Sequence, residues 1–205
     1  MAGFRATSGG VTARFARPEA AMIRDLVWQV AELVAGPEPA GQDNPADGQG
    51  GGRPVRQDAA DDLRVPDADE LAEMVGLDEG AQSVAPPDDP VLSRLLPDGY
   101  IDDQDAARDF RRFTESALRS AKVAAARTVL ATMPPGGGRV RLSTEQAEVW
   151  LRALNDVRLA LGVRLGVTDD FDGLVEDMSP QHPQFAYAQV YQWLAYIQES
   201  LILAL

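Results

Sequence analysis

Apolar residues recur at helical spacing in four long segments of the chain, and this pattern restricts the fold more than any other feature. After Pro18, large apolar side chains recur every three or four residues until Gly36, as they do on one face of a helix. Ser143 followed by Gln146 forms a capping-box sequence at the start of another such segment. The pattern predicts a mainly α fold, a helical bundle of four main helices with additional short helices. The four predicted helices run from Pro18 to Gly36, from Asp102 to Met133, from Ser143 to about Leu165, and from Pro183 to Leu205.

Shorter elements complete the predicted architecture. Residues 4–15 alternate apolar and polar side chains around the turn Ser8-Gly9-Gly10, which is typical of a β-hairpin. Short helices are predicted at Asp67–Val75, which is followed by Gly76, and at Val91–Leu96, which is ended by Pro97. We therefore expect a small N-terminal β-hairpin beside the bundle.

The negative charge is concentrated in one part of the chain. Residues 36–104 carry 17 acidic and 4 basic side chains, a net charge of −13 that equals the formal charge of the whole sequence. Within them, residues 36–66 hold six Gly and five Pro but only three large apolar residues. Such a segment cannot bury enough surface to offset the entropy of ordering it. The sequence therefore predicts a single domain over 1–205, with a flexible acidic Gly/Pro-rich loop at 36–66 inserted after the first helix.

Composition excludes several classes of function. The 205 residues contain no cysteine, so disulfides, thiolate metal sites and thiol nucleophiles are excluded within them. No apolar run reaches the ~18 residues of a membrane span, and the first residues do not resemble a secretory leader. We therefore expect a cytoplasmic protein without membrane contact.

The set of catalytic side chains is small. The sequence has one histidine, His182, in a predicted loop before the last helix. Since no nucleophile motif or second histidine accompanies it, a helix cap or surface position is the favoured interpretation. The acidic run from Asp169 to Gly173 resembles a calcium-binding loop, but Ser179 stands where a bidentate Glu is required. The sequence thus predicts a polar loop there, no enzyme activity, no metal and no cofactor.

The longest predicted helix carries a stripe of basic side chains within about 100° of its circumference. This stripe has three interpretations: a solvated helix face, a surface for an acidic partner, or a surface covered by the acidic residues 36–104 of the same chain. Direct DNA binding is expected to be weak at most, because a net charge of −13 repels phosphates. The stripe consists of Arg108, Arg111, Arg112, Arg119 and Lys122, and the predicted core face of Ala106, Phe110, Phe113, Ala117, Ala121 and Ala124.

Three further features do not fit a simple core. Trp28 projects about 160° from the centre of the apolar face of the first helix. Because aromatic side chains often dominate binding interfaces, Trp28 is a candidate for contact with a partner. The last helix is apolar on both sides, which indicates a central position in the bundle or an interface, and the central position is favoured. Arg158 lies on an apolar helix face and is expected to need a buried acceptor such as Glu199 or a carbonyl. The candidate partner-binding residues are therefore Trp28, Arg108, Arg111, Arg112, Arg119 and Lys122.

Several strings of the sequence resemble an actinobacterial family. They occupy residues 17–21, 88–97, 138–162 and 191–194. The most specific string is Leu154-Asn-Asp-Val-Arg-Leu-Ala-Leu-Gly162. The family is described as a domain of unknown function and also as the actinomycete oxidative-stress transcriptional regulator, AosR-like. The resemblance covers most of the chain outside the predicted flexible loop.

The resemblance implies a cytoplasmic, non-catalytic regulator that acts through protein contacts with a sigma factor or an RNA polymerase subunit. Genes of that family tend to lie beside the gene of the Clp protease adaptor, so an accessory or adaptor role in Clp-type proteolysis is the alternative. A homodimer is a further expectation. Because the sequence has no cysteine, a thiol of this chain cannot receive the oxidant signal, and we expect this member to act downstream of another sensor.

Overall fold

All four long helices predicted from the apolar spacing are present. The structure is a computed structural model that describes residues 3–36, 87–100, 102–169 and 171–205. The fold is mainly α, with a small antiparallel sheet at the N-terminus. The predicted helix at 67–75, and the predicted loop at 36–66 apart from Gly36, lie outside the described residues. The elements are β1 (Arg5–Thr7), β2 (Gly10–Phe15), α1 (Arg17–Ala35), α2 (Pro90–Leu95), α3 (Gln104–Thr132), β3 (Gly138–Leu142), α4 (Thr144–Leu165), α5 (Phe171–Glu176) and α6 (Phe185–Ala204).

The predicted hairpin is confirmed and is extended by a strand that was not predicted. β1 pairs with β2, and β2 pairs with β3 in antiparallel register, from Val11 opposite Leu142 to Phe15 opposite Gly138. Val140 and Leu142 point into the core, whereas Arg139 and Arg141 face outward. This alternation is that of a half-buried strand, but five residues between a glycine run and a capping box are too few to predict one from sequence.

Local hydrogen bonds fix the ends of the helices. The Ser143 hydroxyl accepts from the Gln146 backbone N–H at 3.2 Å, and the Ser143 backbone N–H donates to the Gln146 side chain at 3.1 Å, as the capping box predicts. His182 is exposed in the turn before α6, which agrees with the predicted surface position, and its Nδ1 accepts from the backbone N–H of Gln184 at 3.2 Å. The N-cap residue of α6 is Gln184, so the predicted cap alternative is not the one that the structure shows. The predicted polar loop at 169–173 is wrong in its second half, because α5 begins at Phe171, whose buried ring packs on Tyr191.

The central helix of the bundle is α4, so the predicted central position of the last helix is wrong. α4 packs against α1, α2, α3, α6 and the sheet, and its buried positions span about half of its circumference. α6 buries Leu194, Ile197 and Leu201 on one face and Ala188 near its start, while Leu203 on its other side is 81% exposed. Both helices are rich in apolar residues, and only the packing distinguishes the central one from the peripheral one.

The predicted core face of α3 is wrong, because the helix is rotated by about a third of a turn. Phe110 is 46% exposed and Phe113 is 62% exposed, although both were expected in the core. Arg111 and Glu115 are buried in their place, where they form an ion pair. A charged pair tolerates burial when its partners satisfy its hydrogen bonds, and hydrophobicity alone does not reveal such pairing. The buried residues of α3 are Ala107, Arg111, Glu115, Ala125, Ala126 and Val129.

Replacing Gly137 by alanine should destabilise the protein. Gly137 has a φ of 74°, and a Cβ there would lie 2.7 Å from the Arg17 backbone nitrogen and 2.8 Å from the Phe15 carbonyl oxygen. Both the left-handed backbone and the contact are unfavourable, so we expect a loss of about 1–3 kcal/mol in the free energy of unfolding, measured with urea. Gly136→Ala is the matched control, because a Cβ at Gly136 meets nothing within 4 Å. An equal loss in both variants would contradict the packing of this turn.

Candidate interaction surfaces

Trp28 lies on the solvent side of α1, as the sequence predicts. Its side chain is 53% exposed, whereas Ile23, Val27 and Val34 on the other side of the same helix are buried. An exposed indole on a rigid helix offers a large apolar surface with one hydrogen-bond donor, and it loses little conformational entropy on binding. Trp28 is therefore a well-placed anchor for a partner.

Trp28 borders an open groove between α1, α4 and α6. The groove has a volume of about 950 Å³ and is lined mainly by aliphatic side chains. Asp25 and Glu32 lie on its α1 side and Arg164 on its α4 side. An apolar floor with charged edges suits an amphipathic helix or a few apolar side chains of a partner protein. The apolar lining consists of Met22, Leu26, Val30, Leu33, Val157, Ala160, Leu161, Leu165 and Val190, with Tyr187 at the α6 edge.

The groove itself was not found from the sequence. The sequence predicts two apolar sides for the last helix, but the packing of α6 decides that the ring of Tyr187 stays largely exposed. The signal in the sequence was the excess of apolar residues on a helix with two apolar sides. That excess indicates that one apolar side of the last helix is not covered by the rest of the chain, but it does not indicate which side.

The structure divides the predicted basic stripe into paired and exposed cations. Arg111 is only 6% exposed. Its guanidinium donates to Glu115 at 2.8 Å, to Asp98 at 2.6 Å and to the Leu96 carbonyl at 3.2 Å. Arg111 therefore joins α3 to the end of α2 and is committed within the chain.

Arg119 completes the same network. It donates to Glu115 at 2.8 Å and to the Val34 carbonyl at the end of α1 at 2.6 Å. Burial raises the pKa of Glu115, but the hydrogen bonds and charges of Arg111 and Arg119 outweigh it, so the pKa of Glu115 lies below its ordinary value. Glu115 is therefore a carboxylate that holds two arginines of α3 in place.

Lys122 is also paired inside the chain. Its ammonium donates to Asp156 of α4 at 2.6 Å. Burial raises the pKa of Asp156, and the lysine opposes that shift without cancelling it. Two exposed cations of the stripe remain: Arg108, which pairs with Asp105 at 3.0 Å, and Arg112, whose guanidinium lies 5.5 Å from the ring centre of Phe113.

Trp28 and the exposed arginines do not form one surface. Arg24 donates to the carbonyls of Leu130 and Met133, and Arg119 donates to the carbonyl of Val34, so α1 and α3 run antiparallel. This alignment places Trp28 opposite the second half of α3, whereas Arg112 lies about 20 Å further along the axis. If a partner protein binds at Arg108 and Arg112, we therefore expect this contact to be separate from the contact at Trp28.

Arg158 donates to Gln198 and not to the predicted acceptor Glu199. Its guanidinium donates to the side chain of Gln198 at 2.6 Å and lies 5.3 Å from the ring centre of Tyr191. The predicted acceptor, Glu199, is the next residue along α6, on another side of the helix. A neutral amide and an aromatic face therefore hold this cation at the contact between α4 and α6.

The comparisons with known proteins identify the family. Over residues 1–205 the chain matches the family described as domain of unknown function DUF2017. The chain belongs to this family. The proteins named oxidative stress regulator AosR in Mycobacterium bovis and Mycobacterium tuberculosis are 42% identical to it over 152 residues, 67% of this chain and 67% of each relative. The protein named putative oxidative stress regulator AosR in Mycobacterium leprae is 41% identical over 151 residues, with the same coverage.

These matches confirm the resemblance found in the sequence, and no solved structure matches the chain. Among the helices of the described ranges, none is long and apolar enough to cross a membrane. Within the same ranges, no three side chains of His, Asp or Glu lie together as ligands of a metal ion would.

Removing the charge of Glu115 should destabilise the fold. Glu115→Gln leaves Arg111 buried with one carboxylate fewer, and we expect a loss of about 3 kcal/mol in the free energy of unfolding at neutral pH. Asp105→Asn is the matched control, because Asp105 is exposed and its pair with Arg108 contributes less than about 1 kcal/mol. Urea unfolding of both variants measures the difference. Equal losses would contradict the network.

The difference should also depend on pH. Because the pKa of Glu115 is lowered in the folded protein, its stabilisation is present above the pKa of the unfolded chain, about 4.3, and is lost as the pH falls further. The stabilities of the wild type and Glu115→Gln should therefore converge in acid.

Proposed function

We propose that this chain is a non-catalytic regulator of the response to oxidants that acts through protein contacts with the transcription machinery, a sigma factor or an RNA polymerase subunit. The observation that carries the proposal is its 42% identity to proteins named oxidative stress regulators. The exposed Trp28 beside an apolar groove supports the contact with protein, because such a site suits an apolar segment of a partner.

The charge distribution supports protein contacts over direct contact with DNA. The chain has a formal net charge of −13, and Arg111, Arg119 and Lys122 already donate to carboxylates of the same chain. Phosphate contacts provide much of the affinity of DNA-binding proteins. Arg108 also forms an exposed ion pair with Asp105, so four of the five cations have a carboxylate partner and the stripe has few charges left for phosphates.

The proposal places the oxidant sensor outside these 205 residues. They contain no cysteine, and their one histidine is exposed in the turn before α6, where it accepts from the backbone N–H of Gln184. The side chains best suited to nucleophilic or thiol chemistry are thus missing or occupied with structure. The regulator then receives its signal through a partner.

Trp28→Ala should weaken binding of the transcription partner. The test uses the purified chain with RNA polymerase core enzyme and with each sigma factor of the host bacterium, by biolayer interferometry. We expect one of them to bind the wild type, and we expect the variant to bind at least about 10-fold more weakly, as for an aromatic hot spot. Tyr196→Ala is the matched control, since Tyr196 is an exposed aromatic of α6 outside the groove.

Two outcomes of this experiment count against the proposal. If neither polymerase nor any sigma factor binds while a purified Clp component does, the adaptor role replaces it. If Trp28→Ala and Tyr196→Ala bind equally well, the groove is not the contact. Reversal of Arg108 and Arg112 to glutamate tests the second contact, where we expect a slower association rate mainly at low salt.

The isolated protein should bind duplex DNA weakly and without preference for sequence. Two exposed arginines of the stripe can contact few phosphates, so at physiological salt we expect a dissociation constant no tighter than about 1 µM and a shallow dependence on salt. Fluorescence polarisation with labelled duplexes of different sequence measures both. Tight, selective binding would show direct recognition of DNA in place of the partner-mediated mechanism.

A further inference from the structure

The side of α3 that was expected in the core is an apolar face open to solvent. We call it the outer face of α3, and it consists of Phe110, Phe113, Ala117, Ala121 and Ala124, all exposed. Their spacing of three or four residues keeps them within one sector of the helix over about 21 Å. Phe110 contacts the ring of Tyr100 edge-to-face, with 6.0 Å between ring centres, yet Phe110 and Phe113 remain 46% and 62% exposed. Such exposed aromatic surface is unfavourable in water and is stabilised when another surface covers it.

We infer that this face is a homodimer interface, in which α3 packs antiparallel against α3 of a second copy, with the twofold axis beside Ala117. A closed dimer of this kind uses the same patch on both chains. The patch must therefore be complementary to itself when it is reversed, in size and in charge. The outer face of α3 meets both conditions.

The sizes of the side chains match in the reversed orientation. Phe110 lies seven residues before Ala117 and Ala124 seven residues after it; Phe113 lies four before and Ala121 four after. An antiparallel pair therefore places each phenylalanine against an alanine of the second copy, and two alanines at the axis allow close approach of the helices. A parallel pair would put phenylalanine against phenylalanine at one end and leave a gap between alanines at the other.

The charges match in the same orientation. Asp109 and Arg127 are 18 residues apart, which is five helical turns, so both lie on the same flank of the outer face. Both are exposed, and neither forms a hydrogen bond or ion pair with another described residue. In the antiparallel pair, Asp109 lies within about 3 Å of axial rise of Arg127 of the second copy, and the symmetry gives two such pairs. A parallel pair would place these residues of the two copies on opposite flanks of the contact, so the Asp109–Arg127 pairs would not form.

The eleven-residue spacing also suits a straight helix pair. Phe110 and Ala121 are eleven residues apart, as are Phe113 and Ala124, and such a repeat stays close to the period of an undistorted α-helix.

The expected buried area sets the affinity of the dimer. One helix pair buries on the order of 1,000 Å², which is at the low end for a specific interface. We therefore expect a reversible dimer with a dissociation constant between about 1 µM and about 50 µM.

Analytical ultracentrifugation of the full chain tests the interface. The wild type should shift with concentration from the 22.1 kDa monomer to a dimer. Ala117→Glu places two carboxylates at the axis and should raise the dissociation constant by at least about 10-fold. Ala186→Glu is the matched control, because Ala186 is exposed on α6 outside this face, and it should dimerise like the wild type. Circular dichroism checks that all variants keep their helix content.

A charge exchange tests the orientation. Asp109→Arg and Arg127→Asp should each weaken the dimer, because each opposes two like charges across the interface. The double variant should recover the affinity of the wild type, since the pairs form again with their signs exchanged. Recovery is expected only when Asp109 of one copy meets Arg127 of the other.

Cysteine crosslinking provides an independent readout, because the 205 residues have no native cysteine. Ala117→Cys should give a covalent dimer with a short bismaleimide, and Ala186→Cys should not. A wild type that stays monomeric up to about 100 µM would overturn the inference and assign the face to another protein. A dimer that persists unchanged in Ala117→Glu, or a double charge variant without recovery, would also overturn it.

Discussion

The packing around Trp150 connects the parts of this fold. Its side chain is fully buried on α4, with ring centres 5.7 Å from Phe4 and 6.3 Å from Phe15 of the sheet region. A buried indole needs an acceptor for its N–H, and Thr132 at the end of α3 provides it at 2.8 Å. One side chain thus fixes the distance and rotation between the central helix, the sheet and the C-terminal end of α3.

The rotation of α3 follows from this anchor and from the ion network along the same helix. With Thr132 held against Trp150, Arg111 and Glu115 turn toward α2 and α1, where they find Asp98 and the carbonyls of neighbouring elements. Burial of charges is favourable only when nearly all their hydrogen bonds are satisfied. The network meets that condition, and the phenylalanines of α3 are left on the outside as a consequence.

The groove beside Trp28 and the outer face of α3 are separate surfaces of the described part of the chain. The groove beside Trp28 is lined by residues of α1, α4 and α6 and by Gln184 just before α6, and no residue of α3 contributes to it. The outer face of α3 lies on another side of the bundle. Self-association and partner binding can therefore occur together, and a dimer would present two copies of the groove and raise the effective concentration of a bound partner.

The sequence alone determined the helices, the hairpin, the capping box at Ser143 and the outward direction of Trp28, because these depend on spacing and on contacts a few residues away. It did not determine the third strand, the central position of α4 or the rotation of α3. Those depend on pairing between distant residues, such as Lys122 with Asp156 and Arg119 with the Val34 carbonyl. Hydrophobicity ranks phenylalanine above arginine for the core, but tertiary structure decides which charges find partners and therefore which face is buried.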